Sequence, residues 1–204
     1  MIYEMRTYTL KPLQVAEFEK RWEPLVAGRQ EFSPLGGLWH TEFGPLNQMI
    51  HVWPYESTEQ RNTVRAAAAA GGKWPPNTVE LIERMESEIL LPAPFMRPLA
   101  PARLGNVYEL RIYTYRPGTM AEVLRIWGEA VPHREKYSPL AACWYSDIGG
   151  LNRFFHLWPY ESLAERDRIR AEAGKDPHWP PPTGQFLASM ENKLLIPAAC
   201  SPLH

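Results

Sequence analysis

The chain contains the same sequence twice, in two diverged copies. Shifting it by 105 positions aligns residues 3–99 with residues 108–204 without a gap, and about 37 aligned positions are identical. The eight tryptophans fall into four pairs at this shift: Trp22/Trp127, Trp39/Trp144, Trp53/Trp158 and Trp74/Trp179. Because the repeating unit has about 100 residues, a common domain size, the pattern indicates a duplicated domain rather than an array of short repeats.

The duplication predicts two domains, at residues 1–92 and 108–204. The linker between them, residues 93–107, is rich in proline and alanine, a composition typical of a domain boundary. Since each predicted domain contains one full copy of the repeat, we expect both to have the same fold.

Composition and charge exclude several classes of protein. The 22 basic and 23 acidic side chains nearly balance, so the chain lacks the basic excess that neutralises nucleic-acid phosphates. No apolar run approaches the ~20 residues of a membrane span, and no signal peptide precedes the first strand pattern. The only cysteines, Cys143 and Cys200, lie in the second copy, which argues against a structural disulfide. We therefore expect a cytoplasmic protein that binds neither nucleic acid nor membrane.

Each copy has the order strand, helix, strand, strand, helix, strand. Alternation over residues 3–10 predicts the first strand, and Phe18, Trp22 and Val26, spaced by four, predict the first helix. Ser57 and Gln60 form a capping box that starts the second helix. This β-α-β-β-α-β order is that of the ferredoxin-like fold, an α+β fold with a four-stranded antiparallel sheet and helices on one side.

The two faces of the first strand differ in character. Tyr3, Met5 and Thr7 form a mostly apolar face, which we expect to cover the helices. The opposite face is charged and aromatic, and it is too apolar to remain in water. We therefore expect the two copies to bury this face against each other, sheet on sheet. The predicted inter-sheet face carries Glu4, Arg6, Tyr8, His51 and Trp53 of the first copy and Glu109, Arg111, Tyr113, His156 and Trp158 of the second.

Two segments resemble the NIPSNAP family. They are residues 3–8 (Tyr-Glu-Met-Arg-Thr-Tyr) and residues 44–57, which contain Leu-Asn followed by His-Val-Trp-Pro-Tyr-Glu-Ser, and both recur in the second copy. The resemblance implies the dimeric α+β barrel architecture, so the tandem domains are expected to form a pseudo-dimeric barrel through their sheets. It also implies relatives that include cofactor-free monooxygenases, haem-binding or haem-degrading enzymes, and dehydratases or isomerases of small molecules.

His51 and His156 are the histidines that pair across the repeat, and they are the candidate catalytic residues. Histidine titrates near neutral pH, so an internal cavity would allow them to transfer protons. The alternative is a structural role, in which each buried imidazole hydrogen-bonds a neighbour and keeps the sheets in register. A metal or haem ligand is the weaker interpretation, because no spacing typical of zinc ligands is present. We expect no metal and no cofactor.

Four kinds of side chain, each present in both copies, are candidate substrate-binding residues: Glu4/Glu109, Arg6/Arg111, Tyr8/Tyr113 and Trp53/Trp158. The glutamate and the arginine lie two residues apart on one strand face. They either form a structural ion pair or use the arginine to hold a substrate carboxylate or carbonyl, with the glutamate as partner or base. The tyrosine and the tryptophan either line an aromatic pocket or belong to the core.

The second helix and the turn after it receive mainly structural interpretations. Arg61 and Arg65, like Arg166 and Arg170, lie four apart, a spacing typical of a solvated helix face and less often of an anion-binding or partner surface. The tryptophan before each Pro-Pro pair is expected to seal the turn that follows the helix.

The sequence favours a small-molecule-binding protein or a cofactor-independent enzyme, with a pocket in each copy beside the inter-sheet face. The second pocket is expected to be blocked, because phenylalanines stand at Phe154 and Phe155. One alternative is a protein-interaction module that docks its partner on the outer helices or on the Pro-rich segments 92–101 and 177–182. A further alternative is haem binding. The internal duplication fits a monomer, and a homodimer of the whole chain is equally compatible.

Overall fold

The computed structural model describes residues 1–72 and 74–204. The strands are β1 (Ile2–Leu10), β2 (Gly37–Phe43), β3 (Gln48–Tyr55), β4 (Ile82–Pro92), β5 (Val107–Tyr115), β6 (Ala142–Ile148), β7 (Arg153–Tyr160) and β8 (Leu187–Pro197). The helices are α1 (Val15–Gln30), α2 (Thr58–Ala70), α3 (Met120–Arg134) and α4 (Leu163–Ala173). The predicted β-α-β-β-α-β order is therefore confirmed in both repeats.

The eight strands form one closed antiparallel barrel in the order β1-β3-β2-β8-β5-β7-β6-β4. The sheets of the two repeats join at two places. Strand β2 pairs with β8, where Trp39 lies opposite Pro197, and β4 pairs with β6, where Pro92 lies opposite Trp144. The predicted α+β architecture, a barrel built from tandem ferredoxin-like units, is confirmed. Closure leaves no free strand edge in the sheet.

The barrel interior is filled by the apolar face of the strands. Residues of both repeats belong to this one core. The ring centroids of Tyr3 and Trp144 lie 5.8 Å apart, and those of Trp39 and Tyr108 lie 5.7 Å apart. All four side chains are buried, and each pair joins one repeat to the other. The two repeats therefore share the hydrophobic core inside the barrel.

The charged and aromatic face of the strands lies outside the barrel, beneath the helices. The predicted inter-sheet position of this face was wrong: Tyr8 and Trp53 pack with Phe18 and Trp22 of α1, and the second repeat has the same arrangement. The physical reason is the supply of polar partners. The mostly apolar face needs few polar partners and turns into the barrel, whereas the helices bring arginines that satisfy the buried carboxylate of the other face.

Helix α2 begins at the predicted capping box of Ser57, and α4 begins at its equivalent, Ser162. The Ser57 hydroxyl accepts the backbone N–H of Gln60 at 3.2 Å, and Ser162 accepts that of Glu165 at the same distance. Helix α1 continues through Pro24 instead of ending there. Within residues 1–72 and 74–204, none of the helices combines the length and the hydrophobicity that crossing a membrane requires.

Candidate functional site

A cavity lies on the outer face of the sheet in each repeat, under the helices. The cavity of the second repeat has a volume of about 410 Å³, and the cavity of the first has about 190 Å³. The predicted site residues that line them are Arg111, Tyr113, His156 and Trp158 in the second repeat and Arg6, Tyr8, His51 and Trp53 in the first. The remaining two candidates, Glu4 and Glu109, are buried and contact these arginines.

The register of the central strand brings the site together. On β1, Arg6 lies opposite His51 of β3 and opposite Ser87 of β4, while Glu4 lies opposite Trp53. Opposed side chains on one face of a sheet are close enough to interact directly. The same register recurs in β5 and β7. The alternation of the strand thus selects which residues form the site, and strand pairing sets their spacing.

The barrel mouth also has a cleft, with a volume of about 590 Å³. It contains none of the ten candidate residues. At its rim, Arg153 pairs with Glu88 at 2.5 Å and the Lys193 ammonium donates to the Gln48 amide oxygen at 2.9 Å. The predicted pocket residues therefore belong to the cavities beneath the helices and not to the barrel.

Glu4 is the counter-ion of the first site and is fully buried. Its carboxylate accepts hydrogen bonds from Arg61 at 2.6 Å, from Arg6 at 2.8 Å and from the Ser87 hydroxyl at 2.8 Å, with Arg65 at 3.5 Å. Burial alone would raise the pKa of this carboxyl. The hydrogen bonds from Arg61 and Arg6 outweigh burial and bring the pKa to about 2. A carboxylate with such a low proton affinity is a poor base, so Glu4 acts as an anchor for the arginines.

Glu109 has the same surroundings in the second repeat. Its carboxylate lies 2.6 Å from Arg166, 3.1 Å from Arg111 and 3.3 Å from Arg170. Burial opposes ionisation here too, yet the hydrogen bond from Arg166 and the neighbouring arginine charges leave the pKa of Glu109 below its usual value. Arg166 and Arg170, expected on a solvated helix face, both reach from α4 to this carboxylate, although Arg170 remains 42% exposed.

His51 and His156 are held by the tryptophan two residues further along the strand. The indole N–H of Trp53 donates to Nδ1 of His51 at 2.7 Å, and Trp158 donates to Nδ1 of His156 at the same distance. An indole nitrogen can only donate, so Nδ1 must present its lone pair. The neutral imidazole therefore carries its proton on Nε2. Within the described residues, Nε2 of both rings is buried and has no hydrogen-bond partner.

Both imidazoles are neutral at physiological pH. Burial lowers the pKa of His51 and His156 well below 6.5, and the positive charges of Arg6 and Arg111 act in the same direction. A general base needs a free lone pair, and the one lone pair of each ring is already engaged by an indole. The role that this geometry leaves open is donation of a hydrogen bond from Nε2.

The site does not fit a haem iron or another metal. A histidine that binds a metal through one ring nitrogen donates a hydrogen bond from the other. Here Nδ1 of His51 and His156 accepts a hydrogen bond instead, which leaves the proton on the nitrogen that a metal would need. In the part of the chain that the structure describes, no three His, Cys, Asp or Glu side chains are grouped to bind a metal ion.

Sequence reasoning missed a buried arginine in each cavity. Arg29 and Arg134 are 3% and 2% exposed, and each guanidinium lies over the site tryptophan, 4.3 Å from the ring of Trp53 and 4.5 Å from that of Trp158. Other lining residues had received mainly structural interpretations, with anion binding as the alternative for the arginines: Trp22, Arg65 and Trp74 in the first repeat and Trp127, Arg170 and Trp179 in the second. All of these residues are identical at the 105-position shift, and that signal could have identified them.

The two cavities differ in size because small residues line the second. Ala69 and Val79 line the exposed edge of the first cavity, and the equivalent residues of the second repeat, Gly174 and Gly184, have no side chains there. The expectation that phenylalanine blocks the second pocket was wrong. Phe155 points into the barrel core, and the cavity remains the larger of the two.

Comparisons with known proteins agree with the fold and the repeat. The model of the family described as NIPSNAP matches twice, at residues 3–97 and 108–202. Protein NipSnap homolog 3A of Homo sapiens is 34% identical over 218 residues, with 100% of this chain and 86% of that protein covered. Protein NipSnap homolog of Dictyostelium discoideum is 32% identical over 203 residues, with 96% and 87% covered. The crystal structure of a monooxygenase candidate from Fusobacterium nucleatum aligns with a TM-score of 0.73, over 97% of this chain and 92% of that one. Because the identity is only 12%, this likeness concerns the fold alone.

Proposed function

The chain belongs to the NIPSNAP family, and from this premise we propose that each repeat binds a small molecule in the cavity between the outer face of the barrel and its helices. The observation that carries the proposal is that the same side chains form a cavity at equivalent places in both repeats. The volume of about 410 Å³ in the second repeat lies within the usual range for ligand sites, roughly 300–1,000 Å³. We regard the second cavity as the principal site.

The chemistry that fits these residues is cofactor-independent polarisation of a ligand by hydrogen bonds. A neutral imidazole whose Nε2–H has no protein acceptor can donate to a carbonyl oxygen, as neutral histidines do in other enzymes. Nε2 of His156 is buried, so this hydrogen bond requires that the rings of Tyr113 or Trp127, which pack on the imidazole at 4.7 and 4.6 Å, shift when a ligand binds. Tyr113, Trp127 and Trp158 provide the apolar walls.

Of the alternatives, an interaction module is disfavoured by the open cavity, because a scaffold would be expected to have a filled interior. Haem binding is disfavoured by the polarity of the histidine hydrogen bonds. Haemin added to the protein should therefore show no Soret shift that depends on His51 or His156.

Gly184→Val is expected to narrow the second cavity towards the size of the first, where Val79 stands at the equivalent position, and to weaken ligand binding about three- to tenfold. Gly184 lines the cavity, and a Cβ atom at this position meets no atom within 4 Å, so the added side chain fills space without strain. The measurement is a thermal-shift screen of acidic, basic and neutral fragments on the wild type and the variant. Gly28→Val is the matched control, since Gly28 also has free space but lies on α1 away from the cavity. Fragments that stabilise the wild type and Gly184→Val equally would show that the ligand binds outside the second cavity.

His156→Gln is expected to reduce fragment binding at least about tenfold while lowering the free energy of unfolding by only about 1 kcal/mol, the usual contribution of one hydrogen bond. Glutamine keeps an acceptor for the Trp158 indole but cannot present Nε2–H in the same place. Fragment affinity and chemical denaturation are measured on the same sample. A loss of several kcal/mol of stability with unchanged fragment affinity would assign His156 a structural role.

A further inference from the structure

The cavity of the second repeat has an excess of positive charge. Arg111, Arg134 and Arg170 line it, and no carboxylate of the described residues does. Arg111 and Arg170 share the single carboxylate of Glu109 with Arg166, which also contacts the exposed Asp167. Three guanidinium groups around one buried carboxylate leave a net positive charge facing the cavity.

Arg134 is only 2% exposed, yet it contacts no carboxylate among the described residues. Its Nη1 donates to the Ser138 hydroxyl at 2.8 Å, and its Nη2 donates to the Tyr160 hydroxyl at 3.2 Å. Both partners are neutral. Since a buried charge without a counter-ion is costly, the position of Arg134 beside a cavity indicates that an anion completes the site.

The remaining wall of the cavity is aromatic. Trp127, Trp158 and Trp179 line it, and the guanidinium of Arg134 lies over Trp158 and Trp179 at 4.5 Å and 5.9 Å from the ring centres. A guanidinium has five N–H donors in a planar arrangement suited to a carboxylate, and two of the five are used by protein hydroxyls. The apolar wall suits an organic body attached to the acid group better than a free inorganic anion.

We propose that the ligand of the second repeat is a small carboxylic acid with an apolar or aromatic body, its carboxylate held by Arg134 and Arg170 and its body packed against Trp127 and Trp158. This inference rests on the proposed function, because it names the ligand class of the same cavity. The first repeat has the equivalent charge arrangement, with Arg29 donating to Ser33 at 2.9 Å and to Tyr55 at 3.0 Å.

Matched acids and amides test the inference. Benzoate and benzamide have nearly the same shape and differ in charge, and tryptophan fluorescence and calorimetry report their binding to the full chain. We expect benzoate to bind at least about tenfold more tightly than benzamide, since a hydrogen bond to a charged group contributes more than a neutral one. Raising the salt concentration should weaken benzoate binding and leave benzamide unaffected.

Arginine variants show which guanidinium groups recognise the carboxylate of benzoate. In Arg134→Met the preference for benzoate should disappear. If that variant does not fold, Arg170→Met is used, because the Arg170 side chain is 42% exposed and can be replaced without disturbing the core. Arg170→Met should weaken benzoate binding about three- to fivefold without changing the affinity for benzamide.

Several outcomes would overturn the inference. Equal affinities for benzoate and benzamide would show that charge is not recognised. If Gly184→Val weakens the binding of both probes in that case, the proposed function is still supported. Inorganic phosphate that competes with benzoate at equal affinity would indicate a site for a simple anion without an organic body. If neither benzoate nor benzamide binds, the inference is rejected. The proposed function is then tested separately, by whether neutral or basic fragments of the screen bind in the cavity.

Discussion

Glu4→Gln is expected to lower the free energy of unfolding by about 3–5 kcal/mol at neutral pH, the range found when one partner of a buried ion pair is removed. The substitution keeps the size of the side chain but removes the negative charge that Arg6 and Arg61 share. Arg6 is 12% exposed and Arg61 21%, so water cannot fully replace the carboxylate. Urea denaturation measures the loss. Glu17→Gln, in an exposed helix ion pair, is the control and should cost about 1 kcal/mol or less.

The pH dependence of the free energy of unfolding shows whether the lost charge causes the destabilisation in Glu4→Gln. The pKa of Glu4 is lowered on folding from 4.5 to about 2, so its charge stabilises the native state above the unfolded pKa. This stabilisation is lost as the pH falls from about 4.5 towards 2 and the carboxylate is protonated. The difference in stability between the wild type and Glu4→Gln should therefore have its full value above the unfolded pKa and become small near pH 2. A difference that does not change with pH would mean that packing, and not charge, accounts for the effect.

Trp144→Ala is expected to destabilise the whole chain by about 3–5 kcal/mol, the usual cost of truncating a buried tryptophan. Trp144 is buried in the barrel interior and packs on Tyr3 of the other repeat. Because both repeats share that core, denaturation should remain one cooperative transition, with helices and tryptophan fluorescence lost together. Two separate transitions would show that the repeats are independent domains. Leu46→Ala, at a 62% exposed position, is the control and should have little effect.

The fold could be predicted because duplication and alternation constrain the chain strongly. The strand near residues 3–10 and the capping box at Ser57 lie where the pattern predicts them. Alternation does not show which face of a strand turns into the barrel and which lies beneath the helices. Tyr3 and Met5 would suit either the barrel interior or the underside of a helix, and the choice depends on the arginines of α2, whose direction is set only by the packed structure.

The site residues were predicted in part. His51 and Trp53 were predicted as site residues because they recur in the second copy and because both carry ring nitrogens on the same face of a strand. Arg29 and Arg65 also recur, but on helices an arginine usually faces water, so the spacing alone gave no reason to place them in a cavity. Their position follows from tertiary packing, in which α1 and α2 cover the charged face of β1.

The most direct test of where the ligand binds is the set of indole N–H signals in a ¹H–¹⁵N NMR spectrum, assigned with Trp→Phe variants, before and after addition of a fragment that stabilises the protein. Trp127, Trp158 and Trp179 line the second cavity, whereas Trp39 and Trp144 lie in the barrel interior. We expect the first three signals to shift and the latter two to stay in place. Shifts confined to Trp39 and Trp144 would place the ligand inside the barrel and contradict a site beneath the helices.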